Sequence, residues 1–130
     1  MKREPTPPAH CTFEPEDWLR LAKCWHPVAR ACDIGPAPVK ATLLDEHLVI
    51  YRINDQVVVA RDVCPHRGVP LTLGFHDEHG IICPYHGLRF GEDGRCNRIP
   101  SSPDQPVPAK LNLINYAVEE RFGLIWTCLA

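Results

Sequence analysis

The sequence predicts an all-β fold, an antiparallel sandwich or barrel, preceded by one short helix. Two observations carry this prediction. Short β-branched and aromatic runs recur at close spacing between turn signals. The 130 residues also hold 14 prolines, which favour turns and short strands over long helices. The length is that of one ordinary domain, able to bury roughly two thirds of its unfolded surface.

Taken in order, residues 1–11 are polar and Pro-rich (Pro5, Pro7, Pro8) and read as a frayed tail. Residues 15–24 read as a short helix. Pro15 suits its first turn, Glu16 and Asp17 complement the N-terminal dipole, and Pro27 forces it to stop. Trp18, Leu19 and Leu21 are its candidate core residues. Residues 38–44 form a strand, Asp45-Glu46 a turn, and residues 47–53 a second strand. Asn54-Asp55 makes a turn into a β-branched strand at 56–60. Short strands follow at 80–83 and 88–90, then a strong turn at Gly91-Glu92-Asp93-Gly94. Residues 99–108 hold four prolines and form a loop. Residues 115–120 and 124–128 make a last hairpin across Arg121-Phe122-Gly123.

Composition excludes several classes. With 45% apolar and 23% charged residues the chain is globular, and a net charge of −2 argues against nucleic acid as a partner. No apolar run approaches eighteen residues and no apolar stretch follows Met1-Lys2-Arg3, so neither a membrane nor a secretion route is expected. Seven Cys, an odd number, argue against a disulfide framework, and with seven His they suggest a metal site. Reduced thiols place the chain in the cytoplasm.

The metal constellation is Cys64, His66, Cys83 and His86. Cys and His stand two apart in Cys64-Pro65-His66-Arg67-Gly68 and three apart in Cys83-Pro84-Tyr85-His86-Gly87, with 16 residues between His66 and Cys83. The prolines stiffen these loops. Gly68 and Gly87 let the backbone come close to a bound group. Two thiolates and two imidazoles suit either one tetrahedral Zn²⁺ or a two-iron cluster with both Cys on one iron and both His on the other. Zinc pairs usually take Cys-x-Cys from one element and His-x-His from another, whereas each loop here offers one of each.

These two motifs resemble those of the Rieske [2Fe-2S] domain. Trp25-His26-Pro27-Val28-Ala29, Cys64 to Leu71, Ile99-Pro100-Ser101 and Gly123-Leu124-Ile125-Trp126 extend the likeness over residues 18–130. The N-terminal domain of Rieske non-haem iron oxygenases, in the demethylase and ring-hydroxylating branch, is most similar. The resemblance implies a Rieske-type antiparallel β-sandwich with a small cluster-binding subdomain of two hairpin loops. It divides the chain into a lead-in tail and helix (1–24) and the Rieske domain (25–130). It implies a [2Fe-2S] cofactor with Cys64 and Cys83 on the inner iron and His66 and His86 on the outer one, whose second ring nitrogens should lie near the surface. Arg67, Gly68, Tyr85, Gly87 and Leu88 are the candidate surroundings. Arg67 either donates toward the cluster or forms a surface ion pair, and Tyr85 packs over its loop.

The implied function is one-electron transfer to the mononuclear iron of an aromatic-ring or demethylating oxygenase. The partners are a reductase or ferredoxin as donor and an oxygenase catalytic domain as acceptor. A free-standing Rieske ferredoxin is the alternative, and a zinc-bound structural module a remote one. A complete oxygenase also needs an iron held by two His and a carboxylate. No His follows His86, so this chain is not expected to oxygenate a substrate alone. In high-potential Rieske proteins the positions of Val69 and Tyr85 carry a disulfide, and that of Leu88 a Ser. Their absence implies a potential toward the lower end of about −150 to +300 mV.

The remaining candidates read as structural. Cys11, Cys24, Cys32, Cys96 and Cys128 are buried or free thiols. His10 and His47 are solvated, and His76 and His79 belong to a surface turn. His26 packs, and Trp25 and Trp126 are core.

Overall fold

The computed structural model describes residues 4–101, 104, 106–108 and 111–130. Its one α-helix among these residues, α1, spans Pro15–Ala22. It is shorter than expected because the Lys23 and Cys24 N–H groups turn back to the Arg20 and Leu21 carbonyls, a tightened last turn. Trp18 and Ala22 are buried, whereas Leu19 and Leu21 are exposed, correcting the expected core face. Residues four apart share a helix face, and Trp18 sets that face. Its indole N–H donates to the Leu44 carbonyl at 2.9 Å.

Ten strands follow: β1 (His26–Arg30), β2 (Val39–Leu43), β3 (Glu46–Ile53), β4 (Gln56–Arg61), β5 (Phe75–Asp77), β6 (Gly80–Ile82), β7 (Arg89–Phe90), β8 (Cys96–Arg98), β9 (Asn115–Arg121) and β10 (Leu124–Cys128). They form two antiparallel sheets, β1-β10-β9-β4-β3-β2 and β5-β6-β7-β8.

Three strands escape the sequence reading. Pro27 hides β1, which the sheet tolerates as an edge strand with an irregular step between Pro27 and Ala29. β5 and β8 are three residues each, too short to show a period. The expected turn Asp45-Glu46 is also corrected by one residue. Leu43 pairs with Glu46, and Leu44 and Asp45 take positive φ (51° and 67°) as a two-residue hairpin loop. Glu46 belongs to the strand because its buried carboxylate meets Arg61 Nε at 2.9 Å. Asn54-Asp55 and Phe122-Gly123 make two further loops of the same kind, with positive φ at both residues. The described part of 99–108 is loop, as expected, with Ile99 and Val107 packed inward. Ser102, Pro103 and Gln105 lie outside the described residues.

The cores explain the near-continuous apolar run of β3. Leu48 and Ile50 face one core with Trp18, Val59 and Ile125. Val49, Tyr51 and Ile53 face the other, with Val58, Ala60, Leu71, Ile81 and Phe90. This alternation buries β3 on both sides. The large sheet thus separates a helix-capped core from a second core shared with the small sheet, and Cys64 and Cys83 of the two candidate ligand loops lie in that second core. The tail is pinned at its end. Thr12 N–H and Oγ1–H both donate to Asp45 Oδ2 at 2.7 Å. Trp25 and Phe122 stand exposed and Trp126 half-buried, correcting the expectation that both tryptophans are core. No helix among the described residues is long and apolar enough to cross a membrane.

Candidate metal centre

Two matching hairpins build the site. The first joins the end of β4 to the 3-10 turn Leu71–Leu73, and the second joins β6 to β7. In the first, the Cys64 N–H donates to the Val69 carbonyl (2.9 Å) and the Gly68 N–H to the Cys64 carbonyl (2.8 Å). In the second, the Cys83 N–H donates to Leu88 (2.8 Å) and the Gly87 N–H to Cys83 (3.1 Å). Gly68 and Gly87 both take left-handed φ, 75° and 74°. Each loop therefore tightens into one helical turn and needs a residue without a Cβ to leave it. Pro100 also lies 3.2 Å from where a Cβ on Gly87 would sit.

This shape separates the donors by type. Cys64 and Cys83 begin their loops and are 1% and 2% exposed in the inner core. Burial raises the Cys83 thiol to about 11; the Tyr85 backbone opposes the rise, and the hydrogen-bonded Cys64 thiol adds to it. His66 and His86 sit at the turns and are exposed. Their rings lie 5.7 Å apart, centroid to centroid, at 66°. A buried thiol pair thus stands beside an exposed imidazole pair. Among the described residues, no three His, Cys, Asp or Glu side chains converge to hold a single ion. The donor set fits a two-metal cluster, which needs two ligands at each metal and soft thiolates on one of them.

The surroundings are more apolar than polar. Leu88 is buried, and Val69 packs against the same core. Tyr85 is exposed and lies against His86, with ring centroids 4.0 Å apart. It covers an imidazole, and the loop core is closed without it. Arg67 is exposed and forms no ion pair among the described residues.

Several supporting residues escape the sequence reading. Buried Asp62 accepts from Thr72 N–H (2.8 Å) and Thr72 Oγ1–H (2.7 Å), closing the first loop from behind. Gly74 lies flat on the Ile82 carbonyl beside Pro84, joining the two loops. The only sequence sign of the first feature is an acidic residue, Asp62, two positions before Cys64. Nothing signals the second beyond glycine itself.

The other candidates fall away from the centre. Cys24 and Cys32 are exposed, Cys11 is half-buried, and Cys96 and Cys128 are buried, all with free thiols. His10 and His47 are exposed, as expected. Asp77 Oδ1 accepts from His79 and Gly80 N–H in the expected surface turn. His76 departs from that reading, since its ring packs inward against Tyr51 at 5.7 Å. Half-buried His26 hydrogen-bonds the Leu21 carbonyl at 2.8 Å.

A model of the Rieske [2Fe-2S] domain matches residues 24–115. Methylxanthine N1-demethylase NdmA of Pseudomonas putida is 39% identical over 114 residues, which is 82% of this chain and 32% of the relative. The oxygenase component of dicamba O-demethylase from Stenotrophomonas maltophilia is 40% identical over 107 residues, 82% of this chain and 31% of the relative. Oxidoreductase NdmD of Pseudomonas putida is 36% identical over 108 residues, 81% of this chain and 18% of its own length. The solved structure of NdmA superposes with a TM-score of 0.81 at 35% identity, covering 88% of this chain and 36% of that one. The chain thus spans about a third of the length of the two demethylases. By sequence and by fold it belongs to the Rieske [2Fe-2S] domain family, whose cofactor is a Rieske-type two-iron cluster.

Proposed function

We propose that this chain carries single electrons to the mononuclear iron of an aromatic-ring or demethylating oxygenase, as its Rieske domain or subunit. Residues 25–130 form the electron-transfer domain, and residues 1–24 lead into it. Cys64 and Cys83 hold one iron, and His66 and His86 hold the other. When bound, the cluster supplies a one-electron store whose potential is raised by replacing two thiolates with neutral imidazoles. Its seven thiols suit the reducing cytoplasm.

The observation that carries the reading is the sorting of donors by depth, thiols buried and imidazoles exposed. The chain's own residues do the rest. Leu88, Val69 and Phe90 exclude water behind the thiols. The fixed turns hold the ligands still, so a change of charge needs little rearrangement. The exposed imidazole edge gives the shortest route for an electron to a partner. The same sorting argues against a single zinc ion, which needs all four donors around one point.

The similarity to Oxidoreductase NdmD supports a second reading, a carrier between reductase and oxygenase. Both readings require the same centre. The test is iron and sulfide analysis with electron paramagnetic resonance of the reduced protein. Two irons, two sulfides and a Rieske-type signal are expected. A colourless protein with one zinc per chain overturns the assignment. Delivery of electrons to an added demethylase lacking its own Rieske domain then separates the two readings from a merely structural role.

A further inference from the structure

The large sheet curls until its two edge strands, β1 and β2, lie against each other, as in a barrel. A cavity of about 310 Å³ opens at one end of the helix-capped core. Glu46 at the start of β3, Arg61 at the end of β4, Trp18 of α1 and Leu129 after β10 line it, with Pro5 and Thr6 of the tail on its wall. Trp18 and Leu129 are buried. Cavities of this size at the mouths of barrels, with apolar walls and a few fixed polar groups, commonly house small ligands. This one belongs to the core that does not contain Cys64 and Cys83.

Its polar groups are unevenly used. Glu46 is 6% exposed, and the Arg61 side chain is 26% exposed. Arg61 Nε stands 2.9 Å from Glu46 Oε1, but its N–H is not aligned as a hydrogen bond. The terminal nitrogens of Arg61 form none either among the described residues. Two other donors on the wall are already engaged. The Trp18 indole donates to the Leu44 carbonyl at 2.9 Å and the Cys128 thiol to the Ala22 carbonyl at 3.3 Å. A guanidinium mostly withdrawn from water, with its five N–H groups unbonded, is costly to hold, because buried charge needs hydrogen bonds. We infer that this cavity binds a small carboxylate with an apolar or aromatic body. The terminal N–H groups of Arg61 grip the carboxylate, and Trp18, Ile114 and Leu129 hold the body. This goes beyond the proposed function and does not rest on the metal centre.

The chemistry selects a carboxylate over other ions. A planar guanidinium presents two parallel N–H groups that match the two oxygens of a carboxylate. A phosphate dianion matches the same fork, but it would place its extra charge beside the Glu46 carboxylate. An amine would have to share Glu46 with Arg61 and stand next to a like charge. Because the ligand touches α1 and two strand ends together, it binds the folded chain and stabilises it by mass action.

The test is isothermal titration calorimetry on the cluster-loaded chain with four probes: phenylpropanoate, phenylpropanol, phenylpropylamine and inorganic phosphate. Phenylpropanoate should bind at one site per chain and phenylpropanol about tenfold more weakly, the loss of a charged hydrogen bond. The amine and phosphate should not bind. Arg61→Lys keeps the charge beside Glu46 but loses the fork, and should weaken phenylpropanoate by about tenfold. The double variant Glu46→Gln, Arg61→Gln removes both charges together, so neither is left buried alone. It should bind phenylpropanol as the unmodified chain does and lose the preference for the acid. The site is refuted if acid and alcohol bind the unmodified chain equally, if the amine or phosphate binds more tightly than the acid, or if no probe gives a saturable isotherm. It is also refuted if both variants keep the full preference for the acid. The absorbance of the cluster should be the same in all three proteins, and its loss from every one of them counts against the metal centre and leaves this cavity standing.

Discussion

The His66 and His86 rings stand 5.7 Å apart and meet edge to face at 66°, although 19 positions separate them in the chain. Two hairpins closed by equivalent hydrogen bonds and left-handed glycines bring them together. Because Cys64 and Cys83 begin those hairpins, the loops bring the thiols together as well. His86→Ala should therefore leave the chain folded but unable to retain a full cluster, with the Rieske-type paramagnetic signal lost. Cys32→Ser, at an exposed thiol outside the loops, should keep both. Equal loss of iron from the two variants would show that the loops do not define the centre.

The four candidate ligand positions stand out in the sequence because Cys-Pro-His and Cys-Pro-Tyr-His join two kinds of donor with proline and glycine at fixed offsets. Most strands were legible through their period and turn residues, and β3 because both its faces are buried. What stayed hidden depends on tertiary contact. β1 contains Pro27 and exists because β10 lies beside it. The Leu44-Asp45 turn is set by pairing of Leu43 with Glu46, and local propensity slips by one residue. The burial of Ala22 follows from the side of α1 that Trp18 anchors. No single-residue preference reveals that side.

Gly94 and Gly123 share positive φ, 84° and 73°, but differ in surroundings. A Cβ on Gly94 would press into the Leu113 carbonyl and come within 2.9 Å of Asn115 Oδ1, whereas Gly123 has open space. Gly123→Ala should cost only the left-handed conformation, about 1–2 kcal/mol. Gly94→Ala should add an overlap of about 1–3 kcal/mol, because the Leu113 N–H is bonded to Gly94 itself at 2.7 Å and the backbones cannot part freely. Urea unfolding of both variants checks this. Equal losses would mean that the close approach carries no strain.

Asp45 gives the fold a dependence on acid. The Thr12 hydroxyl, then the Thr12 backbone N–H, hold its carboxyl below the ordinary 3.8. A carboxyl lowered on folding contributes stability that is fully present above its unfolded value. That contribution is lost as pH falls through the folded one. Asp45→Asn, which still tolerates the left-handed turn, should therefore lower the unfolding midpoint near neutral pH. The gap should close below about pH 4. A gap that stays constant from neutral to acid would remove Asp45 as its source.

Asp62 and Thr72 close the first ligand loop from behind, and cluster retention should depend on them. The Asp62 carboxylate is buried, and Thr72 supplies two donors to it, one backbone and one hydroxyl. Between them lie Cys64 and His66, so each opening of this clasp frees half of the ligand set. Thr72→Val keeps the shape and the backbone N–H but removes the hydroxyl, leaving one carboxylate oxygen buried without a partner. Such a loss costs about 1–3 kcal/mol. If the clasp governs loop opening, iron release to a chelator should accelerate by about tenfold for each 1.4 kcal/mol. Thr72→Ser keeps the hydroxyl and should restore the slow release, which a general packing defect at this position would not do. Release that is equally slow in all three proteins would place the control of retention elsewhere in the loops, with Pro65 and Gly68 the next residues to vary.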